Sequence, residues 1–90
     1  MKLEKLLKAG VKEGRVIIGY KKVMKYLKTG KPELVVIAKN IPEERRKILE
    51  YNARIAGVEV KEFEGDSVNL GLTCGKPFTI SALAIKGKKG

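Results

Sequence analysis

The pattern of apolar and polar positions along the chain alternates between two periods. Apolar residues that recur every three or four positions predict four amphipathic helices, and short β-branched or aliphatic runs between them predict four strands. The predicted helices cover residues 3–13, 20–29, 43–56 and 68–74. The predicted strands cover residues 15–18, 34–38, 58–63 and 79–85. The order α-β-α-β-α-β-α-β is typical of an α/β protein, a three-layer α/β/α sandwich with a four-stranded mixed sheet.

The second predicted strand is expected to lie in the middle of this sheet. Residues 34–38 are five apolar residues without alternation, which is typical of a strand buried on both faces. The run ends at Asn40, just before a helix that begins near Pro42, so Asn40 should lie at an exposed edge beside a helix N-terminus. From the residues alone, Asn40 either binds a ligand or only shapes its own turn.

The last two predicted helices carry more specific expectations. Apolar residues of the third helix are expected to form its buried side, and these are Ile48, Leu49, Tyr51, Ile55 and Ala56. The fourth helix should be capped by Asp66 or Ser67, and Gly71 weakens it by about 1 kcal/mol relative to Ala. Residues 58–63 partly alternate, which predicts a strand near the edge of the sheet.

Composition and charge narrow the class of partner. The chain has 90 residues, which predicts one domain (1–90), and residues 86–90 are expected to be a frayed basic tail. Twenty Lys and Arg against ten Asp and Glu give a formal charge of +10, which attracts polyanions such as nucleic acids or anionic membranes. No stretch is long and apolar enough to span a bilayer or to serve as a signal peptide, so a cytoplasmic location is expected.

The chain lacks most of the side chains that catalytic and metal-binding sites commonly use. The chain has no His and a single Cys, so neither an internal disulfide nor a Cys/His zinc cluster can form. Cys74 should lie at the end of a helix, where a thiolate is not favoured, and we expect it to be a small buried hydrophobe. We therefore expect no catalysis, no metal and no cofactor.

Three predicted turns carry the side chains best suited to a nucleic acid. These turns are residues 19–22, 39–42 and 75–78. They meet at one rim of the sheet if the fourth strand runs opposite to the first two, and we call this surface the three-turn rim. Helix N-termini with Lys21 and Lys22 suit phosphate, Asn40 suits a base edge, and Phe78 could stack on a base. The alternatives are a solvated helix face for the lysines and a ring folded onto the core for Phe78.

Several motifs resemble the L30e family of archaeal and eukaryotic large-subunit ribosomal proteins, within the L7Ae superfamily of kink-turn RNA-binding proteins. They are residues 18–22 (IGYKK), 34–40 (LVVIAKN) with Pro42, 49–53 (LEYNA), 63–65 (FEG), 67–71 (SVNLG) and 75–83 (GKPFTISAL). The resemblance implies a structural protein of the large ribosomal subunit that binds a kink-turn, a helix–internal loop–helix, in rRNA. It implies no membrane partner and a monomer when free. The RNA-binding residues that it implies are Gly19, Lys21, Asn40, Arg45, Phe78 and Ile80, and Lys22 joins them because of its charge.

One departure from the superfamily pattern affects Lys22. Where the superfamily usually has Gly-x-Asn-Glu-x-x-Lys, this chain has Gly19, Lys21, Lys22 and Lys25. Lys donates hydrogen bonds and accepts none, so a group met here should be an acceptor such as guanine O6 or N7, or a phosphate. The alternative functions are a stand-alone kink-turn protein or guide-RNA scaffold, a small enzyme that uses Lys21 or Cys74, and a basic protein of the membrane surface.

Overall fold

The helices and strands follow the order that the sequence periodicity predicts. The computed structural model describes residues 3–30 and 32–87. The helices are α1 (Leu3–Lys12), α2 (Tyr20–Thr29), α3 (Glu43–Ala56) and α4 (Ser67–Thr73). The strands are β1 (Val16–Ile18), β2 (Leu34–Ile37), β3 (Glu59–Glu62) and β4 (Ala82–Ile85). Of the predicted basic tail, residues 88–90 lie outside the described part of the chain.

The four strands form one mixed sheet in the order β1-β4-β2-β3. Strand β2 is parallel to β3 and antiparallel to β4, and β4 is also antiparallel to β1. The interior position of β2 and the edge position of β3 are both confirmed. All four residues of β2 and all four of β4 are buried, because these two strands have neighbours on both sides and helices on both faces.

Two helices cover each face of the sheet, which confirms the three-layer sandwich. Helices α2 and α3 pack on one face, with these residues of helix and sheet together: Val23, Leu27, Leu49, Ala53, Val35, Ile37, Ala82 and Ala84. Helices α1 and α4 pack on the other face, with Leu7, Leu70, Cys74, Leu34, Val36, Leu83 and Ile85. Successive strand residues alternate between the two clusters, as the period of two requires.

The predicted buried side of α3 is wrong in part. Leu49 and Ala53 are fully buried, whereas Ile48, Tyr51 and Ile55 are exposed. A helix that lies flat on a sheet turns only one side toward it, and Leu49 and Ala53, four residues apart, mark that side in α3. The apolar residues on the outward side have no covering element in the described part of the chain.

The predicted start of the last strand is also wrong. Strand β4 begins at Ala82, three residues later than the apolar run suggests. Residues 79–81 belong to the loop that leads into it, where the N–H of Ile80 donates to the carbonyl oxygen of Ser67 at 3.0 Å. Ile80 is buried although it lies in this loop, and burial in a loop is not distinguished from burial in a strand by composition alone.

Candidate nucleic-acid interface

The sheet brings the three predicted turns to one edge. Because β4 is antiparallel to β1 and β2, its N-terminal end lies beside the C-terminal ends of both, with Leu83 paired to Ile18 and Ala82 paired to Ile37. The N–H of Gly19 donates to the carbonyl oxygen of Ala82 at 3.0 Å, and the N–H of Ala38 donates to that of Ser81 at 2.9 Å. The segments that lead to Lys21, Asn40 and Phe78 therefore meet at one edge of the sheet, which is the strand arrangement that the three-turn rim requires.

The positive end of helix α2 lies at this rim without an internal counter-charge. Its N-cap is Gly19, at φ +109°, and the first turn contains no acidic residue, while Lys21 and Lys22 are exposed there. By contrast, α3 begins with Glu43 and Glu44. Free N–H groups, the helix dipole and two ammonium groups all favour a negative ligand, so this end of α2 suits a phosphate group.

Asn40 is exposed, and its amide is held by the start of helix α4. Asn40 Oδ1 accepts from the N–H of Ser67 at 2.8 Å, and Asn40 Nδ2 donates to Ser67 Oγ at 3.3 Å. The N–H of Ser67 needs an acceptor, so the amide orientation follows from its partner. One Nδ2 hydrogen and one Oδ1 lone pair remain for an outside group. Asn40 thus joins two chain segments rather than only bonding within its own turn.

Phe78 lies in the loop before β4, and its side chain is 53% exposed. Together with Val68 and Leu72 of α4 it lines a shallow groove of about 160 Å³. A Cβ atom at Gly71 would overlap the carbonyl oxygen of Phe78, so the loop approaches the helix at a point where only glycine fits. The ring is therefore presented outward by backbone packing beneath it, and the alternative of a ring folded onto the core is wrong.

Arg45 and Ile80, two of the predicted RNA-binding residues, lie in different environments. The guanidinium of Arg45, on the first turns of α3, lies over the ring of Tyr20 with 5.1 Å between Cζ and the ring centroid. This contact brings Arg45 next to the N-terminus of α2. Ile80 is only 1% exposed and packs among the core residues between the sheet and α4. Its prediction as an RNA contact is corrected, because a buried side chain offers no surface to a ligand.

Ser67 and Gly71 shape the rim in ways that the sequence does not indicate. The sequence offers both Asp66 and Ser67 as caps of α4; the cap is Asp66, whose side chain accepts from the N–H of Asn69, and Ser67 bonds to Asn40 instead. From the sequence, Gly71 only weakens a helix, whereas in the structure it allows the close approach of the Phe78 backbone. No local pattern indicates either role, since both depend on contacts with distant segments.

The described residues also bear on thiol reactivity, metal binding and membrane spanning. Cys74 is buried, as predicted, and burial raises the pKa of its thiol, which keeps it protonated and unreactive. Residues 3–30 and 32–87 contain no group of three or more His, Cys, Asp or Glu side chains placed to hold a metal ion. No helix within those residues is long and apolar enough to cross a membrane.

Comparison with known proteins gives consistent matches over most of the chain. The model of the Ribosomal protein L7Ae/L30e/S12e/Gadd45 family matches residues 1–90. The chain is 44% identical over 86 residues to Large ribosomal subunit protein eL30 of Methanothermobacter thermautotrophicus, covering 96% of this chain and 88% of that protein. It is 43% identical over 79 residues to eL30 of Pyrobaculum calidifontis, covering 88% of this chain and 78% of that protein.

Solved structures show the same fold at lower identity. A protein of unknown function from Bacillus halodurans superposes with a TM-score of 0.87 at 22% identity, covering 96% of this chain and 85% of that one. The Giardia lamblia 15.5kD RNA binding protein superposes with a TM-score of 0.82 at 24% identity, covering 97% of this chain and 72% of that one. At these identities the likeness concerns the architecture of the sandwich.

Proposed function

The chain belongs to the Ribosomal protein L7Ae/L30e/S12e/Gadd45 family, and on that premise we propose that it is a structural protein of the large ribosomal subunit that binds a kink-turn in rRNA. The relatives that are named Large ribosomal subunit protein eL30 support the ribosomal role, which is structural rather than catalytic. The protein would act as a monomer when free and would be found with the cytoplasmic ribosomes.

The observation that carries this proposal is the meeting of three different recognition chemistries on the three-turn rim. The N-terminus of α2 with Lys21 and Lys22 suits phosphates, Asn40 suits a base edge, and Phe78 suits the face of an unstacked base. A regular RNA helix offers phosphates but keeps its bases stacked. An internal loop with a sharply bent backbone offers all three groups within a short distance, which is why a kink-turn fits this rim.

The charge of the whole chain supports the same partner. With +10 at neutral pH the protein is drawn toward RNA before any specific contact forms. The electrostatic attraction does not depend on sequence, so discrimination between RNA sites is left to Asn40 and Phe78.

The test is a gel-shift titration with a kink-turn RNA and with a straight duplex of the same composition. Asn40→Ala and Phe78→Ala should each weaken binding to the kink-turn by about 1–3 kcal/mol, which is about 5- to 150-fold in Kd, and should change duplex binding little. Asn52→Ala and Tyr51→Ala, an amide and an exposed aromatic ring on α3, serve as matched controls.

Two results would contradict the proposal at different levels. Equal kink-turn affinity for the parent, Asn40→Ala and Phe78→Ala would remove the site assignment. Absence of the chain from large subunits after sedimentation of a cell extract would remove the ribosomal role and would favour a stand-alone RNA-binding protein.

A further inference from the structure

Helix α3 carries an apolar stripe on its outward side that the core does not use. Ile48, Tyr51 and Ile55 are 42%, 63% and 69% exposed, and their spacing of three and four residues places them in one row along the helix. Single exposed apolar residues are ordinary, but a contiguous row on the water-facing side of a helix is typical of an interaction surface. We call these three residues the α3 stripe.

The α3 stripe lies apart from the three-turn rim. Helix α3 begins at the rim, just after Asn40, and the stripe occupies its middle and C-terminal turns. Arg45, which reaches toward Tyr20 at the rim, precedes the stripe by one turn. A partner on the stripe and an RNA on the rim can therefore bind at the same time.

The charges beside the stripe select the chemistry of the partner. Lys47 and Arg54 are exposed and seven residues apart, so they lie on the same flank of the row, and neither forms an ion pair within residues 3–30 and 32–87. Glu44 is exposed at the N-terminal end of the row. Further round on that side of the helix, Arg46 is paired with both Glu50 and Glu62, so among the described residues Lys47 and Arg54 are the unpaired basic side chains beside the stripe.

The aliphatic side chains disfavour RNA as the occupant, and the positive charge disfavours a second copy. Two of the three side chains are aliphatic, and neither phosphate nor ribose gains from contact with isoleucine. A second copy would bring a net charge of +10 and the same basic flank against this one. The three side chains also expose well under the roughly 800 Å² per partner that a stable complex of separately diffusing proteins buries.

We propose that the α3 stripe docks an amphipathic segment of a neighbouring protein, apolar along its contact row and acidic along the edge that faces Lys47 and Arg54. This inference rests on the proposed function, because an interface of this size needs a partner that is already held close by on the same RNA. A shared scaffold raises the effective concentration of the partner, so a small apolar contact suffices.

The experiment is a photocrosslink from position 51 in assembled large subunits. Tyr51 is replaced by the aromatic photocrosslinker p-benzoylphenylalanine in a tagged chain, and subunits are isolated from the cells that express it. The expected product is a protein–protein crosslink that survives ribonuclease, with the peptide identified by mass spectrometry as apolar with an acidic edge. The control carries the same group at Lys12, which is exposed on α1 in the opposite helical layer, and should not give that product.

A second arm measures the energetic contribution of the stripe. Ile55→Lys should lower incorporation into subunits about tenfold in competition with the parent, because burial of an exposed isoleucine is lost. Affinity for the isolated kink-turn RNA should not change, and Lys12→Ala should be neutral in both assays.

The outcomes separate this inference from the proposed function. A chain that sediments with large subunits but crosslinks from position 51 only to RNA, only to itself or to nothing overturns the α3 stripe proposal alone. Unchanged incorporation of Ile55→Lys overturns it too. A chain that is absent from large subunits overturns the proposed function and this inference with it.

Discussion

The replacement Gly71→Ala tests how the fold presents Phe78. Gly71 is buried in α4, and a Cβ atom there would overlap the carbonyl oxygen of Phe78 and would lie 3.2 Å from its carbonyl carbon and 3.6 Å from the Cα of Thr79. All three neighbours are backbone atoms. No side-chain rotation can therefore relieve the contact, and the loop or the helix must move.

Two effects of opposite sign decide the magnitude. Alanine favours a helix over glycine by about 1 kcal/mol, which would stabilise α4. Overpacking against fixed neighbours costs about 1–3 kcal/mol. The loop is fastened to α4 by two backbone hydrogen bonds, Lys76 N–H to Gly71 O at 2.9 Å and Ile80 N–H to Ser67 O at 3.0 Å, so a shift also strains these. We expect a net loss of about 1–2 kcal/mol in the free energy of unfolding.

The RNA affinity should fall together with the stability, because the displaced segment carries the ring. Urea unfolding measures the first quantity, and a kink-turn gel shift under fully folded conditions measures the second. Asn69→Ala is the matched control: it is an exposed position of the same helix, where alanine improves helix propensity without a new contact. It should be neutral or slightly stabilising and should leave binding unchanged.

A refuting result is easy to recognise. If Gly71→Ala is more stable than the parent and binds the kink-turn equally well, the loop adjusts freely. Close approach at Gly71 would then not be what presents Phe78.

Three further predictions concern other residues. The double replacement of Asn40 and Ser67 by Ala should weaken kink-turn binding no more than Asn40→Ala alone, because the Ser67 side chain acts through the Asn40 amide. Gel shifts of the two single variants and the double variant form a double-mutant cycle, and additive losses of affinity would contradict this. Cys74 should resist iodoacetamide at pH 8 in the native protein and react quickly in urea, because burial raises the pKa of its thiol. The folded chain then holds a proton that the unfolded chain releases, so the free energy of unfolding should fall as pH rises above about 8.5, a fall that Cys74→Ala should abolish. Lys22→Gln should reduce the slope of log Kd against log salt by about 1 on any RNA, and an unchanged slope would show that Lys22 contacts no phosphate.

Local sequence accounts for most of the secondary structure. The helical rows, the β-branched runs and glycines with left-handed backbone at Gly14 and Gly57 place the element boundaries within a few residues. The continuous apolar run 34–38 indicates the double burial of β2, because only a covered interior strand is apolar on both faces. These properties depend on residues that are neighbours in the chain, so a single sequence contains them.

The sequence predicts the buried side of a helix only in part. Helix α3 has apolar residues on both sides, and hydrophobicity alone cannot tell the core row at Leu49 and Ala53 from the outward row at Tyr51 and Ile55. The orientation of the helix on the sheet makes that choice. Ile80 shows the same limit, because the family resemblance implies an RNA contact there while packing in the core beside α4 buries it.

The chain determined by itself which elements form, the basic charge, and the presence of an amide, lysines and an aromatic ring in three separate turns. Only the tertiary structure decided that these turns meet, because the antiparallel placement of β4 beside β1 and β2 is a pairing between distant segments. It also decided how the side chains are held, through Ser67 on Asn40 and Gly71 under Phe78. The physical reason is that local structure follows from adjacent residues, whereas a recognition surface depends on contacts between residues that are far apart in sequence.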